Sequence, residues 1–319
     1  MNIAISFVDR NEYFTIRLPS TISFHTKHST RQTRLYNLEY KEYLEKIPIY
    51  GSNKSIINFP FVAGDSFKSI ANFVYDSEQM NNWQGKQVKK NDIIWIKSDF
   101  LGQFFSSRFN EITEPFIIIA HNSDYSTPGD LVRFLDDKRI LAYFTVNKDR
   151  NHPKVFGIPI GIMNPIWKAG NGSRFREFMT DIPPFEDRFI NIYLNFNPST
   201  NNQRTKWFNH FKKFPYVWIP PKRTHSQYLS DLKRSKYVVS PPGNGLDCHR
   251  TWESILMGAI PIILSTSIDE VYQDAPVLVV DDYANVTPQM LETFKPPTWH
   301  RHRAFVHYWF ELIKNQTIM

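Results

Sequence analysis

The sequence predicts an α/β protein built from two parallel-sheet domains. Short apolar runs alternate with helical patterns in two consecutive series, which is typical of parallel strands joined by crossover helices. A stretch at residues 164–186, where glycine and proline interrupt the pattern, separates the series and predicts an interdomain linker. With 319 residues and 41% hydrophobic content, the chain can form two cores of ordinary size. We therefore expect domains at residues 1–165 and 187–298 and a C-terminal helix at 299–319.

The pattern of strands and helices in the first series is weak over the first 50 residues and becomes clear after them. Residues 2–8 alternate like a strand, residues 26–34 are polar like a loop, and residues 38–47 favour a helix. Pro159 inside a later apolar run predicts a strand at an edge of the sheet or at a ligand. The predicted elements are a helix at 65–75, a strand at 92–96, a helix at 99–109, a strand at 115–120, a helix at 131–136, a strand at 140–146 and an extended run at 155–162.

The second series follows the predicted linker and keeps the same rhythm. Its last element is amphipathic and polar on one face, which is typical of a helix that covers a core. The predicted strands lie at 189–196, 216–219, 237–240, 260–264 and 276–280, and the predicted helices at 205–213, 224–234, 247–258, 288–293 and 299–314.

The most informative segment is residues 237–264, where a strand, a glycine-rich loop, a helix and a second strand follow one another. Gly243 and Gly245 permit a loop whose backbone can lie close to a ligand, and Asp247 is placed to cap the helix. In parallel sheets this arrangement puts N–H groups and a helix N-terminus at the carboxyl end of a strand. The segment therefore predicts a site for a phosphorylated ligand.

Two charged residues on this helix extend that prediction. Arg250 and Glu253 are three residues apart and share a face near the helix N-terminus. A guanidinium offers fixed, bidentate donors that suit a diphosphate, and a carboxylate one turn later suits the hydroxyls of a ribose. The structural alternative is that Asp247 only caps the helix and that Arg250 and Glu253 form a surface ion pair. The spacing alone does not decide between the two.

The string SPPGNGLDCHRTWESILMGAIPII at residues 240–263 resembles the C-terminal signature of exostosin-like glycosyltransferases. That signature is Pro-x-Gly-x-Gly, a short polar gap, Arg-x-x-Glu, and then Gly-x-Ile-Pro. The order of a loop acid, a helix cation and a helix glutamate is also similar to that of fucosyltransferase-like enzymes. Residues 119–124, 157–164 and 193–200 are similar, more weakly, to segments of exostosin-family proteins of giant viruses and microbes.

The resemblance implies a GT-B-like fold, in which two Rossmann-like domains face a cleft and the final helix crosses back onto the first domain. It implies a glycosyltransferase that moves a sugar from a UDP- or GDP-linked donor to the hydroxyl of a glycan or another acceptor, with inversion. The nucleotide sugar is then a substrate, and no cofactor is expected. The residues that would bind this donor are Gly243, Asn244, Gly245, Asp247, Arg250 and Glu253.

A polar segment at residues 195–206 follows the first predicted strand of the second domain. Arg204 and Lys206 stand at the start of the next helix, so the loop faces the same cleft as the motif and its cations would complete a diphosphate clamp. The alternative is a capped turn with solvated cations. No Asp-x-Asp triplet occurs, and no histidines show zinc-ligand spacing, so we expect no metal site.

Candidate residues of the first domain follow its apolar strand at 115–120. His121 and Asp124 are of types that can act as the general base of an inverting transfer, although a histidine at a strand end is often a structural group. Asn122 and Asn164 are expected on the acceptor side of the cleft. The rival to a transferase is a nucleotide-binding or assembly module of glycosyltransferase descent that does not catalyse.

The composition limits the classes of function. The net charge of +7 fits an anionic donor, an acidic acceptor or peripheral contact with a membrane surface. A nucleic-acid binder is a further rival, but basic runs are short, so we expect no nucleic acid. Cys248 is the only cysteine, which excludes an internal disulfide. No apolar run approaches the length of a membrane span and the N-terminus lacks signal-peptide features, so we expect a cytoplasmic protein.

Overall fold

A computed structural model describes residues 58–76, 83–296 and 300–316. The elements predicted at residues 2–8, 26–34 and 38–47 lie outside this part of the chain. Within it, two sheets of five strands each are formed, and every strand pair is parallel. The two all-parallel α/β sheets confirm the predicted fold class, and the arrangement is consistent with a GT-B-like fold.

The first sheet has the strand order β1-β2-β3-β4-β5, which is the order along the chain. Its central strands are apolar on both faces because helices and turns cover each side. β5 is an edge strand, as Pro159 just beyond it predicts. The strands are β1 (Phe73–Tyr75), β2 (Asp92–Lys97), β3 (Phe116–His121), β4 (Ile140–Thr145) and β5 (Val155–Gly157).

The second sheet has the strand order β10-β9-β8-β6-β7. Its first strand therefore lies inside the sheet, with β7 on one side and β8 on the other. The strands are β6 (Ile190–Tyr193), β7 (Val217–Trp218), β8 (Ser235–Val239), β9 (Ile260–Leu264) and β10 (Leu278–Val280).

Helices cover both sheets and several begin at side-chain caps. Asn201 accepts from the backbone N–H of Arg204 at the start of α4, and Thr224 forms a capping box with Gln227 at the start of α5. The α-helices are α1 (Gly64–Ser69), α2 (Leu101–Ser106), α3 (Gly172–Phe178), α4 (Asn202–Phe211), α5 (His225–Arg234), α6 (His249–Leu256), α7 (Pro288–Thr293) and α8 (Val306–Asn315).

One hydrophobic core is shared by the two sheets. Residues of one face of the first sheet, such as Trp95 and Phe144, belong to the same buried cluster as Val238 and Ile263 of the second sheet. The opposite face of each sheet has its own buried cluster. The cluster of the first sheet contains Ile118, and that of the second sheet is likewise separate from the shared core. The sheets are therefore joined by continuous apolar packing, which holds their carboxyl ends in a fixed relation.

Several predicted elements differ from the structure, among them the helix predicted at 131–136, which is a 3-10 helix at Gly129–Phe134. The helix predicted at 65–75 ends at Ser69, and strand β1 follows, because the β-prone run 73–75 pairs with β2. The predicted linker contains α3, whose Phe175 is fully buried against Phe61 and packs edge-on against His225. The helix predicted at 299–314 starts only at α8, after a short 3-10 turn.

The C-terminal helix α8 packs on segments that precede the first sheet. The N–H of Val306 donates to the carbonyl of Pro60 at 2.9 Å, and the N–H of Val62 donates to the carbonyl of Ala304 at 3.0 Å. The ring of Phe310 lies 6.4 Å from that of Phe67 on α1. In the described ranges no helix has both the length and the apolar character needed to cross a bilayer.

Candidate functional site at the carboxyl ends of the sheets

The strand order of the second sheet reverses between β6 and β8. The chain passes from β6 outward to β7, returns across β6 to β8 and continues to β9 and β10. In open parallel sheets the loops that follow two such strands diverge, and ligands bind in the crevice between them. The loops after β6 and β8, at residues 194–201 and 240–248, therefore border the candidate site.

Two guanidinium groups converge in this crevice. Arg250, on the first turn of α6, lies with Nη1 at 3.5 Å from the Cys248 sulfur, and Arg204 of α4 lies with Nη2 at 3.8 Å from the same atom. Both guanidinium groups also lie over the ring of Phe196, at 5.8 Å and 5.5 Å from its centroid. Burial, with a smaller contribution from the nearby charge of Arg250, lowers the pKa of Arg204. The guanidinium nevertheless stays charged because its ordinary pKa is so high.

Neither of these two cations forms an ion pair with a carboxylate of the described residues, although the charge of Glu253 acts on Arg250. No ion pair of Arg204 or Arg250 forms within the part of the chain that the structure describes. The backbone N–H groups of His249 and Arg250, at the start of α6, also lack an acceptor among the described residues. Two adjacent positive charges and a helix N-terminus repel each other and attract an anion, so the crevice has the electrostatics of a phosphate site.

Arg204 also shapes the loop after β8. It is 4% exposed, and its Nε and Nη2 atoms donate to the carbonyls of Pro242 and Pro241 at 2.7 and 3.0 Å. Its Nη1 donates to the carbonyl of Asn197 and to the hydroxyl of Thr200, so every nitrogen of the Arg204 guanidinium has an acceptor inside the protein. Lys206, two residues later on α4, is exposed and has no hydrogen bond or ion pair in the described structure. Because two residues correspond to about 200° around a helix, Lys206 lies on the opposite face from Arg204.

Glu253 is buried beside the two cations. It is 4% exposed, and its Oε2 accepts a hydrogen bond from the hydroxyl of Tyr228 at 2.7 Å. Burial and the carboxylate charge raise the pKa of Tyr228, so that its hydroxyl remains a donor. The other oxygen, Oε1, has no partner among the described residues and is not closed off from solvent. The surface ion pair with Arg250 is wrong, since Glu253 is buried and no such pair forms.

The glycine-rich loop contacts the first sheet. A Cβ at Gly245 would lie 2.5 Å from the amide nitrogen of Asn147, just after β4, so only glycine fits there. The Asn147 side-chain oxygen accepts from the backbone N–H groups of Leu246 and Asp247 at 2.8 and 3.1 Å. These N–H groups are therefore not free for a phosphate. Asn244 at the loop tip donates to Asp124 Oδ2 at 3.1 Å.

Asp247 is a buried junction between the two sheets. Its carboxylate accepts four hydrogen bonds, each at 2.7 Å, from the N–H groups of Ile160 and Cys248, the indole of Trp252 and the hydroxyl of Tyr272. Burial raises the pKa of Asp247, and these four donors oppose that shift. The predicted helix cap is wrong, because the N-cap is Cys248 and no side-chain cap is formed. Because its oxygens already accept four hydrogen bonds, the Asp247 carboxylate is poorly placed to bind a nucleotide sugar.

His121 ends β3 and is 1% exposed. Its Nε2 lies 3.0 Å from the carbonyl of Pro159, and because a carbonyl only accepts, Nε2 carries the hydrogen. Its Nδ1 accepts from the backbone N–H of Asn122 at 2.7 Å. Burial lowers the pKa of His121, which keeps it neutral. Both nitrogens are thus engaged, whereas Asp124, the other predicted base, is exposed at the loop contact with Asn244.

The predicted acceptor-side residues lie together at the end of the first sheet. Asn164 donates from Nδ2 to Asn122 Oδ1 at 3.1 Å, and Asn122 donates from Nδ2 to Asp65 Oδ1 at 3.3 Å. The backbone N–H of Asp65 in turn donates to Asn164 Oδ1 at 2.9 Å. The three side chains form a half-buried polar network, of which Asn122 and Asn164 were predicted on the acceptor side and Asp65 was not predicted.

His249 lies between this network and the two arginines. It is the first residue of α6 and is half-buried. Its Nδ1 lies 2.7 Å from the carbonyl of Gly161, and it is electrostatically coupled to His121. His249, Asn147 and Tyr228 were not predicted as site residues, because their positions depend on contacts made across the fold. The one available signal for His249 was that it immediately precedes Arg250.

Two further observations bound the chemistry. A small pocket with a cavity volume of about 10 Å³ lies at the ends of β8 and β9, lined by residues that include Ser240, Thr251 and Tyr272. This volume is below the roughly 300 Å³ at which small-molecule sites begin, so this pocket does not serve as the nucleotide-sugar site. Among the described residues no group of three or more histidine, cysteine or acidic side chains is arranged to hold a metal ion.

Comparisons with known proteins give one weak structural match and no match in sequence. No protein-family model matches the sequence, and no curated protein matches it. A solved structure described as the GtfA/B complex is similar over 73% of this chain, with 11% sequence identity and a TM-score of 0.38. The match covers 59% of that chain, so this chain spans less than two thirds of its length. A likeness at this TM-score carries no argument about function, and the exostosin-like resemblance of residues 240–263 stays a prediction.

Proposed function

We propose that the protein is a glycosyltransferase that binds a nucleotide-diphosphate sugar in the crevice between the loops after β6 and β8. The sugar passes to an acceptor hydroxyl that approaches from the first sheet. Inversion at the anomeric carbon and independence from a metal ion remain part of this proposal. UDP- and GDP-sugars are the donor classes to test.

The observation that carries the proposal is the pair of guanidinium groups without a carboxylate partner. Arg204 and Arg250 meet at the Cys248 sulfur, at the point where the strand order reverses. Arg250 keeps N–H groups free for charge-assisted hydrogen bonds to the phosphates of a nucleoside diphosphate. The N–H groups of Arg204 are directed to acceptors within the protein, so Arg204 adds its positive charge, which helps to neutralise the diphosphate as it leaves. Glu253, one turn further along α6, offers its free oxygen to a ribose hydroxyl.

Binding of UDP, GDP and their sugars tests the donor site directly. A ligand that binds the folded state should raise the melting temperature. At a ligand concentration one hundred times its dissociation constant, the free energy of unfolding should increase by about 2.7 kcal/mol. Because Cys248 is the only cysteine, alkylation at this residue gives one mass shift. We expect the bound diphosphate to slow that alkylation.

The arms of this experiment separate the diphosphate from the nucleoside. Inorganic pyrophosphate should protect Cys248 at a higher concentration than the nucleoside diphosphate, and uridine or guanosine should protect it least. If no nucleotide or nucleotide sugar stabilises the protein or slows alkylation, the proposed function is wrong.

A nucleotide-binding module without catalysis is the second candidate. The observation that favours it is the state of His121, whose two ring nitrogens are both engaged, so that the base predicted at the end of β3 is not available. Donor binding without sugar release to water or transfer to any simple saccharide would support the module.

A further inference from the structure

We infer that His249 is the general base of the proposed transfer and takes the proton of the acceptor hydroxyl at its Nε2 atom. This inference rests on the proposed function, because it assigns a role in that reaction. The motif resemblance implies that Arg250 and Glu253 bind the sugar donor, and it gives no role to His249. The inference therefore comes from the geometry of His249.

The tautomer of His249 is fixed by its hydrogen bond. Its Nδ1 lies 2.7 Å from the carbonyl oxygen of Gly161, and since that oxygen only accepts, Nδ1 carries the hydrogen. In the neutral ring Nε2 then holds the free lone pair. Nε2 has no partner among the described residues, and it is not one of the buried unsatisfied atoms, so it is open to solvent. A backbone carbonyl that orients one nitrogen while the other stays free is the arrangement a general base requires.

The position of His249 places it between donor and acceptor. Arg250, the next residue, donates from Nε to the carbonyl of Asn195 in the loop after β6 of the second sheet. Adjacent helical residues point about 100° apart, so His249 faces the first sheet while Arg250 faces the crevice. Gly161, its partner, pairs with Ala63 and lies three residues before Asn164. An acceptor held at Asn164 would therefore approach His249 from the side of Gly161, whereas a diphosphate held by Arg250 lies on the side of the second sheet.

The other candidate bases fit less well. His121 is fully buried, and a proton could reach it only if one of its two hydrogen bonds broke. Asp124 is exposed and held by Asn244 at the loop tip. Asp65 already accepts from Asn122 and belongs to the network that would position the acceptor.

The step balances in atoms and electrons. The acceptor oxygen forms a bond to the anomeric carbon, and the bond from that carbon to the diphosphate oxygen breaks, with its electron pair leaving on the diphosphate. The proton of the acceptor hydroxyl moves to Nε2 of His249, which becomes an imidazolium and later releases the proton to solvent. Arg204 and Arg250 hold the charge of the leaving nucleoside diphosphate.

The test compares His249→Gln with His121→Gln, a change at the neighbouring buried histidine. The probes are the UDP- and GDP-hexoses that bind the wild-type protein, with water and simple saccharides as acceptors. We expect His249→Gln to bind the donor within about threefold of wild type and to lose about 10²- to 10⁴-fold in kcat, which is the range that general acid–base catalysis contributes. His249→Ala should regain activity with added imidazole, and His121→Gln should keep kcat within about fivefold.

The pH profile gives a readout that a structural role would not change. The titratable and charged groups near His249 are His121 on β3 and, in its own segment, Cys248 and Arg250. Asp65 on α1 acts electrostatically on His121. We expect the acidic limb of kcat/KM to vanish in His249→Gln and to persist in His121→Gln. NMR of the imidazole nitrogens should show the Nδ1–H tautomer for His249 and the Nε2–H tautomer for His121.

The outcomes separate this inference from the proposed function. If His249→Gln keeps kcat within about threefold while wild type binds and transfers, the base is another residue and the proposed function stands. If NMR shows the Nε2–H tautomer for His249, the lone pair faces Gly161 and the inference is wrong. If wild type binds no donor, or binds it without catalysis, the proposed function fails and the assignment of a base fails with it.

Discussion

The carboxyl ends of the two sheets differ in how their polar side chains are satisfied. At the first sheet, His121 bonds to backbone groups, and Asn122, Asn164 and Asp65 bond to one another. At the second sheet, Arg204 and Arg250 lack a carboxylate partner in the described chain, and one oxygen of a buried glutamate is unpaired. Buried charges in folded proteins usually lie beside an opposite charge, so the end that gathers two hydrogen-bonded guanidinium groups without an ion pair is the one that awaits an anionic ligand.

Strand order explains why the two ends differ. The described strands of the first sheet follow the order of the chain, so none of its neighbouring loops diverge, and their polar residues close on each other. The second sheet reverses its order between β6 and β8, which opens a crevice. The same parallel architecture thus gives a self-contained wall on one side and a binding crevice on the other.

The strongest prediction concerns the junction between the two ends. Asp247→Ala should lower the free energy of unfolding by about 4 kcal/mol, because four buried donors lose their acceptor together. Urea denaturation followed by tryptophan fluorescence measures the change. Asp187→Ala, at an exposed acidic residue, should change the stability by less than about 0.5 kcal/mol. Two resolved transitions in Asp247→Ala would contradict the view that one core joins the sheets.

The second prediction tests whether the unpaired cations bind the ligand. Arg250→Met should weaken the binding of the nucleoside diphosphate about 100-fold, which corresponds to the loss of a bidentate, charge-assisted contact. Lys206→Met removes the same charge from the opposite face of α4 and should change the affinity less than about threefold. Titration calorimetry at fixed salt measures both. Equal losses in the two variants would mean that only the net positive charge attracts the anion.

The sequence predicted the sheets well, whereas the roles of its candidate site residues stay predictions. Continuous apolar runs and loop punctuation are local signals, so β9 and α7 were predicted with the bounds they have. The order of glycine, arginine and glutamate also placed Arg250 and Glu253 beside the crevice. The predicted helix at 65–75 was partly wrong because the pairing of β1 with β2 overrides local propensity.

Roles that depend on contacts across the fold were not accessible from the sequence. Asp247 was predicted to bind the donor, but Ile160 and Tyr272, distant in sequence, occupy its carboxylate. His249 was passed over because its tautomer is set by Gly161, 88 residues earlier. A motif records which residues occur in order, whereas the partners that consume or free their atoms come from the other sheet.

The third prediction tests the contact between the two ends. Gly245→Ala places a Cβ at 2.5 Å from the Asn147 amide, so the loop or the asparagine has to move. We expect a loss of about 2 kcal/mol in stability, within the range for overpacking, and slower transfer because the two ends separate. Gly102→Ala is the matched control, since a Cβ there meets nothing within 4 Å. A Gly245→Ala protein as stable as wild type would show that the two loops do not touch in solution.

The smallest predicted effect concerns His121, whose burial marks the first end as self-contained. Burial lowers the pKa of this histidine in the folded state, while in the unfolded chain it protonates near its ordinary value of about 6.5. The unfolded state therefore binds more protons below about pH 6.5, and the wild-type protein should lose stability as the pH falls through that range. His121→Gln, whose amide can donate to Pro159, should reduce this slope by up to about 1.4 kcal/mol per pH unit. The lowered pKa values of His225 and His302 leave part of the slope in place. Denaturation between about pH 5 and 7 measures this dependence of stability on pH. A slope that is unchanged in His121→Gln would mean that His121 exchanges protons with solvent and that the first end is as open as the second.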